Sequence, residues 1–265
     1  MRLIVSDLDG TLYPKKSDTS ETTYQKNIEA IQKWTSQGNL FAVATARGIF
    51  HYPELKENLG FDMIYIGANG AETRIDENKV ILKTIPSSIF IDIARYLLQE
   101  NINASVATGV DGKWSWSSID RYPVDTRDVF KAMKEYMHVA KLDEIDPNYQ
   151  VPRIQIYVPK EDKEALMNEL NRRLKNVWIT SSDDDLIDIG PVNSSKGISI
   201  LEMAAYFGVP NEDVITIGDS QNDIAMFEIC QNSYCIDHAD AIVKRHATYI
   251  IPSVWEMIEK ELNHQ

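Results

Sequence analysis

The sequence predicts an α/β fold in which a doubly wound parallel sheet carries an inserted α+β domain. Three observations lead there. Leu3-Ile4-Val5 is an unbroken apolar run too short for a helix and reads as a strand buried on both faces, and Leu40-Phe41-Ala42-Val43-Ala44 and Val214-Ile215-Thr216-Ile217 are two more short, largely apolar runs of that design. Stretches with helical spacing separate such runs, and strand, helix, strand is the order that requires a parallel pair and a right-handed crossover. Between residues 84 and 188 the texture changes to hairpins and alternating strands. The expectation is a Rossmann-like core of residues 1–83 and 189–265 around a second domain, 84–188, with a core of its own.

The first strand sits in MRLIVSDLDGTLY and ends on two carboxylates, Asp7 and Asp9, followed by Gly10 and Thr11. Two negative charges so close repel, and nothing in the apolar pattern asks for them, so the local cost marks a site that a divalent cation would relieve. Lys15 to Glu21 is turn-like with a cap at Ser20, and Ile28, Ile31 and Trp34 then recur at helical spacing up to Gly38. The second strand ends in Thr45-Ala46-Arg47-Gly48. A helix over Tyr52 to Asn58 stops before Gly60, and the strand Met63 to Ile66 closes in Gly67-Ala68-Asn69-Gly70.

Thr73-Arg74-Ile75 and Val80-Ile81-Leu82 flank Asp76-Glu77-Asn78 as a hairpin. Pro86 opens a helix containing Ile89, Ile93 and Leu97, at a position where proline costs nothing. A second hairpin joins Ala104–Thr108 to Lys113–Ser117 through Asp111-Gly112, and Arg127 to Met137 reads as helical. Ile154, Ile156 and Val158 alternate with polar neighbours as a half-buried strand. Lys160 to Leu174 is an amphipathic helix, and short strands follow near Val177–Ile179 and Leu186–Ile189. Trp114, Trp116, Arg121, Arg153 and Tyr157 are the polar and aromatic candidates of this region, with packing of the domain's own core as the rival role for the tryptophans.

Core texture then returns. Ser194 or Ser195 can cap a helix that runs through Ile198, Leu201 and Ala205 and stops at Gly208, which puts Lys196 in its first turn. The third strand ends in Gly218-Asp219-Ser220-Gln221-Asn222-Asp223, and a helix from Asn222 to about Cys230 follows. A strand at Tyr234–Ile236, a helix over Ala241–Arg245, a strand at Tyr249–Ile251 and a final helix after Ser253 complete the sheet. Ligands of open parallel sheets bind beyond the carboxyl ends of the strands, so the three strand ends can converge.

Length, composition and charge limit the possibilities. The chain has 265 residues, 43% hydrophobic and 25% charged, with a formal net charge of −13. That charge argues against nucleic acid and anionic membranes as partners, while leaving room for a local basic pocket that holds one phosphate. The first core strand follows Met1 almost at once and no apolar stretch approaches a membrane span, so a cytoplasmic location is expected. Cys230 and Cys235 read as ordinary thiols, and the five histidines are scattered.

Asp7-Leu8-Asp9-Gly10-Thr11, then Thr45, then Lys196 in Asn193-Ser194-Ser195-Lys196-Gly197, then Gly218-Asp219 with Asn222-Asp223, resemble the four ordered motifs of the haloacid dehalogenase superfamily. Within it the chain most resembles the Cof-type sugar-phosphate phosphatases, whose large C2B-type α/β cap lies between the second and third motifs. The resemblance implies Mg²⁺-dependent hydrolysis of small phosphate monoesters through an aspartyl-phosphate. Asp7 is then the nucleophile and Asp9 the general acid and base, with Thr45 and Lys196 holding the phosphoryl oxygens. Leu8, Gly10, Ala46 and Asn222 join them in binding phosphate. Asp7, Asp9 through its carbonyl, and Asp219 hold the metal, with Asn222 and Asp223 behind them. The implied partner is a small phosphorylated metabolite, and the implied assembly a monomer or weak homodimer. A phosphomutase and a non-catalytic phospho-ligand-binding regulator are the alternatives. Two departures stand out, Ala46 where the family has glycine and Ile236-Asp237-His238-Ala239 where it has a small glycine-containing stretch.

Overall fold

The structure, a computed structural model, describes residues 1–17, 19–110, 114–119, 137–139 and 141–263. The chain forms two compact units, residues 1–81 with 194–265, and residues 82–193. Their strands, in chain order, begin with β1 (Leu3–Ser6), the short pair β2 (Asp9–Gly10) and β3 (Tyr13–Pro14), β4 (Leu40–Ala44), β5 (Ile64–Gly67), β6 (Glu72–Arg74) and β7 (Val80–Leu82). The second unit holds β8 (Ile85–Pro86), β9 (Ser105–Val110), β10 (Trp114–Ile119), β11 (Met137–Val139), β12 (Gln150–Val151), β13 (Ile154–Tyr157), β14 (Val177–Asp183) and β15 (Leu186–Pro191). The first unit resumes with β16 (Val214–Gly218), β17 (Asn232–Ile236) and β18 (Tyr249–Ile251).

The first unit is an eight-stranded sheet in the order β18-β17-β16-β1-β4-β5-β6-β7. It is parallel from β18 to β5, and β6 is antiparallel to β5. Leu3 is in register with both Val214 and Leu40, so β1, β16 and β4 run flush and end at the same edge. Period-two alternation sends their side chains to opposite faces. Ile4, Val43, Ile215 and Ile217 pack with Ile31 and Trp34 of helix Ser20–Ser36 and with Met257 and Ile258 of helix Val254–Asn263. Leu3, Val5, Ala42 and Val214 pack on the other face with Ile200 and Met203 of helix Lys196–Phe207 and with Phe227. Helices therefore cover both faces, which is why these runs carry no polar alternation. Each Val, Leu, Ile, Phe or Met side chain among them taken out of water contributes about 1.5–3 kcal/mol.

The second unit is a six-stranded sheet, β11-β10-β9-β13-β15-β14, antiparallel except where β10 meets β11. Phe90, Ile93 and Leu97 of helix Ser88–Gln99 and Leu166 and Leu170 of helix Lys160–Arg173 pack on Val106, Ile154, Ile156, Ile187 and Ile189. This is a complete core of its own.

Several elements differ locally from the sequence reading. Ser20 is the first helical residue, with Thr19 as its cap, and its hydroxyl donates to the Ser17 carbonyl. Pro86 lies in β8, where it pairs with Gln150, and the helix starts at Ser88. The last strand of the second unit continues past Ile189 to Pro191, because β14 pairs along it. After β16 the chain makes a tight turn, Gln221–Asp223, before a short helix, Ile224–Phe227, in place of one helix reaching Cys230. The expected turn at Asp111-Gly112, Arg121, and the expected helix Arg127 to Met137, apart from Met137 in β11, lie outside the described residues, as do the side chains of Trp114 and Trp116. Among the described residues, no helix is long and apolar enough to cross a membrane. Cys230 and Cys235 are buried free thiols, and burial pushes them up to about 12 and about 11.

Candidate active site

Asp7 follows β1 directly, and its N–H still donates to the Ile217 carbonyl of β16 at 2.9 Å. The chain then folds back, with Leu12 N–H donating to the Asp7 carbonyl and Tyr13 N–H to that of Leu8. Leu8 and Leu12 are buried in the core and anchor this loop from below. The Asp7 carboxylate is thus held at the sheet edge, 5% exposed, by backbone bonds on one side and apolar packing on the other.

Lys196 opens its helix behind Ser195, whose hydroxyl accepts from Ile198 N–H. Its ammonium, on a residue only 1% exposed, donates to Asp7 Oδ1 and Asp223 Oδ1, each at 2.6 Å. The other oxygen of Asp223 accepts the N–H groups of Asp219 and Ser220, both at 2.9 Å, which fixes the tight turn after β16. Asp219 Oδ1 accepts from the Thr11 hydroxyl at 2.8 Å, and its Oδ2 lies 3.2 Å from His238 Nε2. Asp7, Asp219 and Asp223 are all buried and bring ligand oxygens within 4.8 Å of one another.

Three buried carboxylates face one buried ammonium, Lys196, and the exposed Lys15 ammonium lies 3.6 Å from Asp219 Oδ2, so among the described residues the cluster is still short of positive charge. Burial, and then the neighbouring Asp223, hold the Asp7 carboxyl well above its ordinary range, although Lys196 pulls the other way. Burial alone would lower the Lys196 ammonium, but Asp223 and Asp7 outweigh it and raise it, so the lysine stays charged. Among the described residues the grouped donors are all carboxylate oxygens, the set preferred by a hard divalent cation such as Mg²⁺ and ill suited to a soft one.

Two glycines make room for this cluster. Gly10 has φ +94°, and a Cβ there would lie 2.5 Å from Asp219 Oδ2; one at Gly218 would lie 2.5 Å from the Asp223 carboxyl carbon. Gly10→Ala is therefore expected to cost about 1–3 kcal/mol, as strain in a positive-φ backbone does. Urea unfolding measures the loss. Unchanged stability would contradict the close packing of the loop on Asp219.

The other sequence-predicted residues fall in two places. Asp9 is exposed and its carboxylate is gripped by Arg47, Nε to Oδ2 at 2.9 Å and an Nη to Oδ1 at 2.6 Å. Its side chain thus stands outside the carboxylate cluster. Thr45 is buried at the end of β4, where its N–H donates to the Ile66 carbonyl and its hydroxyl accepts from Arg47 N–H at 3.1 Å. Ala46 is half-buried beside it. Asn222 donates through Nδ2 to Asn69 Oδ1 at 3.1 Å. The sequence reading placed Thr11 in the first motif, and it passed over Arg47, Asn69 and His238 as contributors. Arg47 carried a local signal, a cation two residues after Thr45; His238 carried only its place in an unusual stretch.

The family model for haloacid dehalogenase-like hydrolases matches residues 4–256. The chain is 28% identical over 275 residues to a 5-amino-6-(5-phospho-D-ribitylamino)uracil phosphatase of Bacillus subtilis, covering 96% of this chain and 93% of that protein. It is 21% identical over 271 residues to a phosphatase of the same description from Escherichia coli, covering 100% and 97%. Among solved structures, a haloacid dehalogenase-like hydrolase from Bacteroides thetaiotaomicron superposes with a TM-score of 0.79 at 23% identity, over 98% of this chain and 99% of that one. A HAD subclass IIB sugar phosphatase superposes with a TM-score of 0.76 at 21% identity, over 100% and 98%.

Proposed function

The chain belongs to the haloacid dehalogenase-like hydrolase family and is a phosphatase, and we propose that it hydrolyses small phosphate monoesters, sugar phosphates foremost, through an aspartyl-phosphate on Asp7. The observation that carries this reading is the Asp7 carboxylate itself, buried at a strand end, touching an ammonium and grouped with two more carboxylates. A phosphate dianion repels an anionic nucleophile, so neutralisation and positioning are most of the catalysis. Mg²⁺, held by Asp7, Asp219 and the Asp9 carbonyl with Asp223 and Asn222 behind, would supply the positive charge that the cluster lacks.

An Asp7 oxygen attacks phosphorus as the bond from phosphorus to the leaving oxygen breaks, and Asp9 gives that oxygen its proton. Water then attacks the aspartyl-phosphate while Asp9 takes its proton back, releasing phosphate and restoring Asp7. Lys196 and Thr45 hold the phosphoryl oxygens, joined by Asn222 and by backbone groups of Leu8, Gly10 and Ala46. Asp9 serves only after leaving Arg47, and a phosphate dianion offers that guanidinium an equivalent two-oxygen partner. Selection among esters is assigned to the second unit.

Free phosphate measured from a panel of sugar phosphates tests the reading. Release is expected with Mg²⁺ and should fall by about 10²-fold or more with chelator, since charge neutralisation is the main catalytic resource. Transfer of the phosphoryl group to a second sugar without free phosphate, or turnover indifferent to chelator, would overturn it.

A further inference from the structure

We propose that the buried amide of Asn69 donates to an oxygen of the transferring phosphoryl group and fixes Asn222 beside it, an inference that rests on the phosphatase reading. Asn69 is 5% exposed and holds φ 52°, ψ 33°, next to Ala68 at φ 48°. Two successive non-glycine residues in the left-handed region persist only where the surroundings over-determine them. Here they do. Asn69 N–H donates to the Thr45 carbonyl at 3.1 Å, and its Oδ1 accepts from Asn222 Nδ2. The next residue, Gly70, accepts the Ser199 hydroxyl at 2.8 Å, and a Cβ on it would lie 2.2 Å from the Ser195 carbonyl oxygen.

One turn is therefore clamped to Thr45, to Asn222 and to the first turn of the Lys196 helix, the three groups assigned to the phosphoryl oxygens. Yet among the described residues Asn69 Nδ2 and Asn222 Oδ1, both buried, have no hydrogen-bond partner within the protein. Turning both amides over does not help, because the pair again uses one donor and one acceptor and leaves one of each. Buried polar groups are nearly always paired, so a strained turn tied to the Thr45 carbonyl and to the first turn of the Lys196 helix, and ending in a spare donor, points to an anionic oxygen as the missing partner.

Asn69→Asp separates the donor from the scaffold, because a carboxylate tolerates the left-handed backbone and still accepts from Asn222 while lacking the N–H group. Asn69→Gly keeps the backbone freedom and removes the side chain. With p-nitrophenyl phosphate as substrate and inorganic phosphate as competitive inhibitor, in Mg²⁺, Asn69→Asp is expected to lower kcat/KM by about 10²-fold, the usual effect of losing one transition-state donor. Its inhibition constant for phosphate should rise roughly in parallel. Asn69→Gly should move both the same way by about 10-fold or more, with melting temperatures close to that of the unmodified protein. If Asn69→Asp fails to fold, Asn69→Gly decides. Folded variants that keep normal kcat/KM and phosphate inhibition overturn the role of Asn69 alone, while an unmodified protein that neither hydrolyses the ester nor binds phosphate overturns the phosphatase reading together with it.

Discussion

Asp7→Asn is expected to reduce turnover by about 10⁵-fold or more, the scale seen when the nucleophile of a covalent mechanism is removed. The variant should nevertheless fold, because its loss leaves Lys196 paired one to one with Asp223 across 2.6 Å. It should even relieve a cost. The Asp7 carboxyl is raised above its ordinary value, by burial first and by Asp223 second. A carboxyl whose folded pKa exceeds its unfolded one contributes stability that is fully present below the unfolded value, about 4, and is lost as pH rises through the folded value. In chelator, the unmodified protein should therefore lose stability as pH climbs above the ordinary carboxylate range. Asp7→Asn should flatten that part of the profile, and Mg²⁺ should flatten it in the unmodified protein. Melting curves across pH, with and without Mg²⁺, measure this; identical slopes for both proteins in chelator would remove the case for a charge-starved cluster.

Lys196→Met should bring the largest loss of stability. It removes the ammonium that, among the described residues, contacts both Asp7 and Asp223, and leaves two carboxylates facing each other out of water. Breaking a buried pair from one side costs about 3–5 kcal/mol, which for a chain of this size lowers Tm by roughly 10 °C. Turnover should fall with it, since the same ammonium is assigned to the phosphoryl oxygens. Mg²⁺ should restore part of the lost stability and little of the activity. A variant as stable as the unmodified protein would mean that the lysine is not the counter-charge of this cluster.

The central sheet is legible in the sequence because its strands are buried on both faces. Leu3-Ile4-Val5 has no polar alternation to hide it, and the acids, the threonine and the glycines stand out against such runs. Flush register then follows from the fold, and with it the meeting of Asp7 and Asp219. What the sequence does not show depends on contacts between distant residues. Nothing near Asp9 says that Arg47 will grip it, and nothing near Asn222 points to Asn69. The short turn at Gln221–Asp223 was also hidden. Its helical spacing looks continuous to Cys230, but the Asp223 carboxylate binds the N–H groups of Asp219 and Ser220 and tightens the start. Lys196 near a helix start looks electrostatically misplaced until Asp7 and Asp223 are seen around it.

The most direct test is to stop the reaction in acid during turnover with a phosphate monoester and Mg²⁺, and to map phosphoryl adducts by mass spectrometry. The account requires an adduct on the peptide that carries Asp7, present with Mg²⁺, absent with chelator and absent in Asp7→Asn. Rapid release of free phosphate with the Asp7 peptide unmodified at every time point would contradict it.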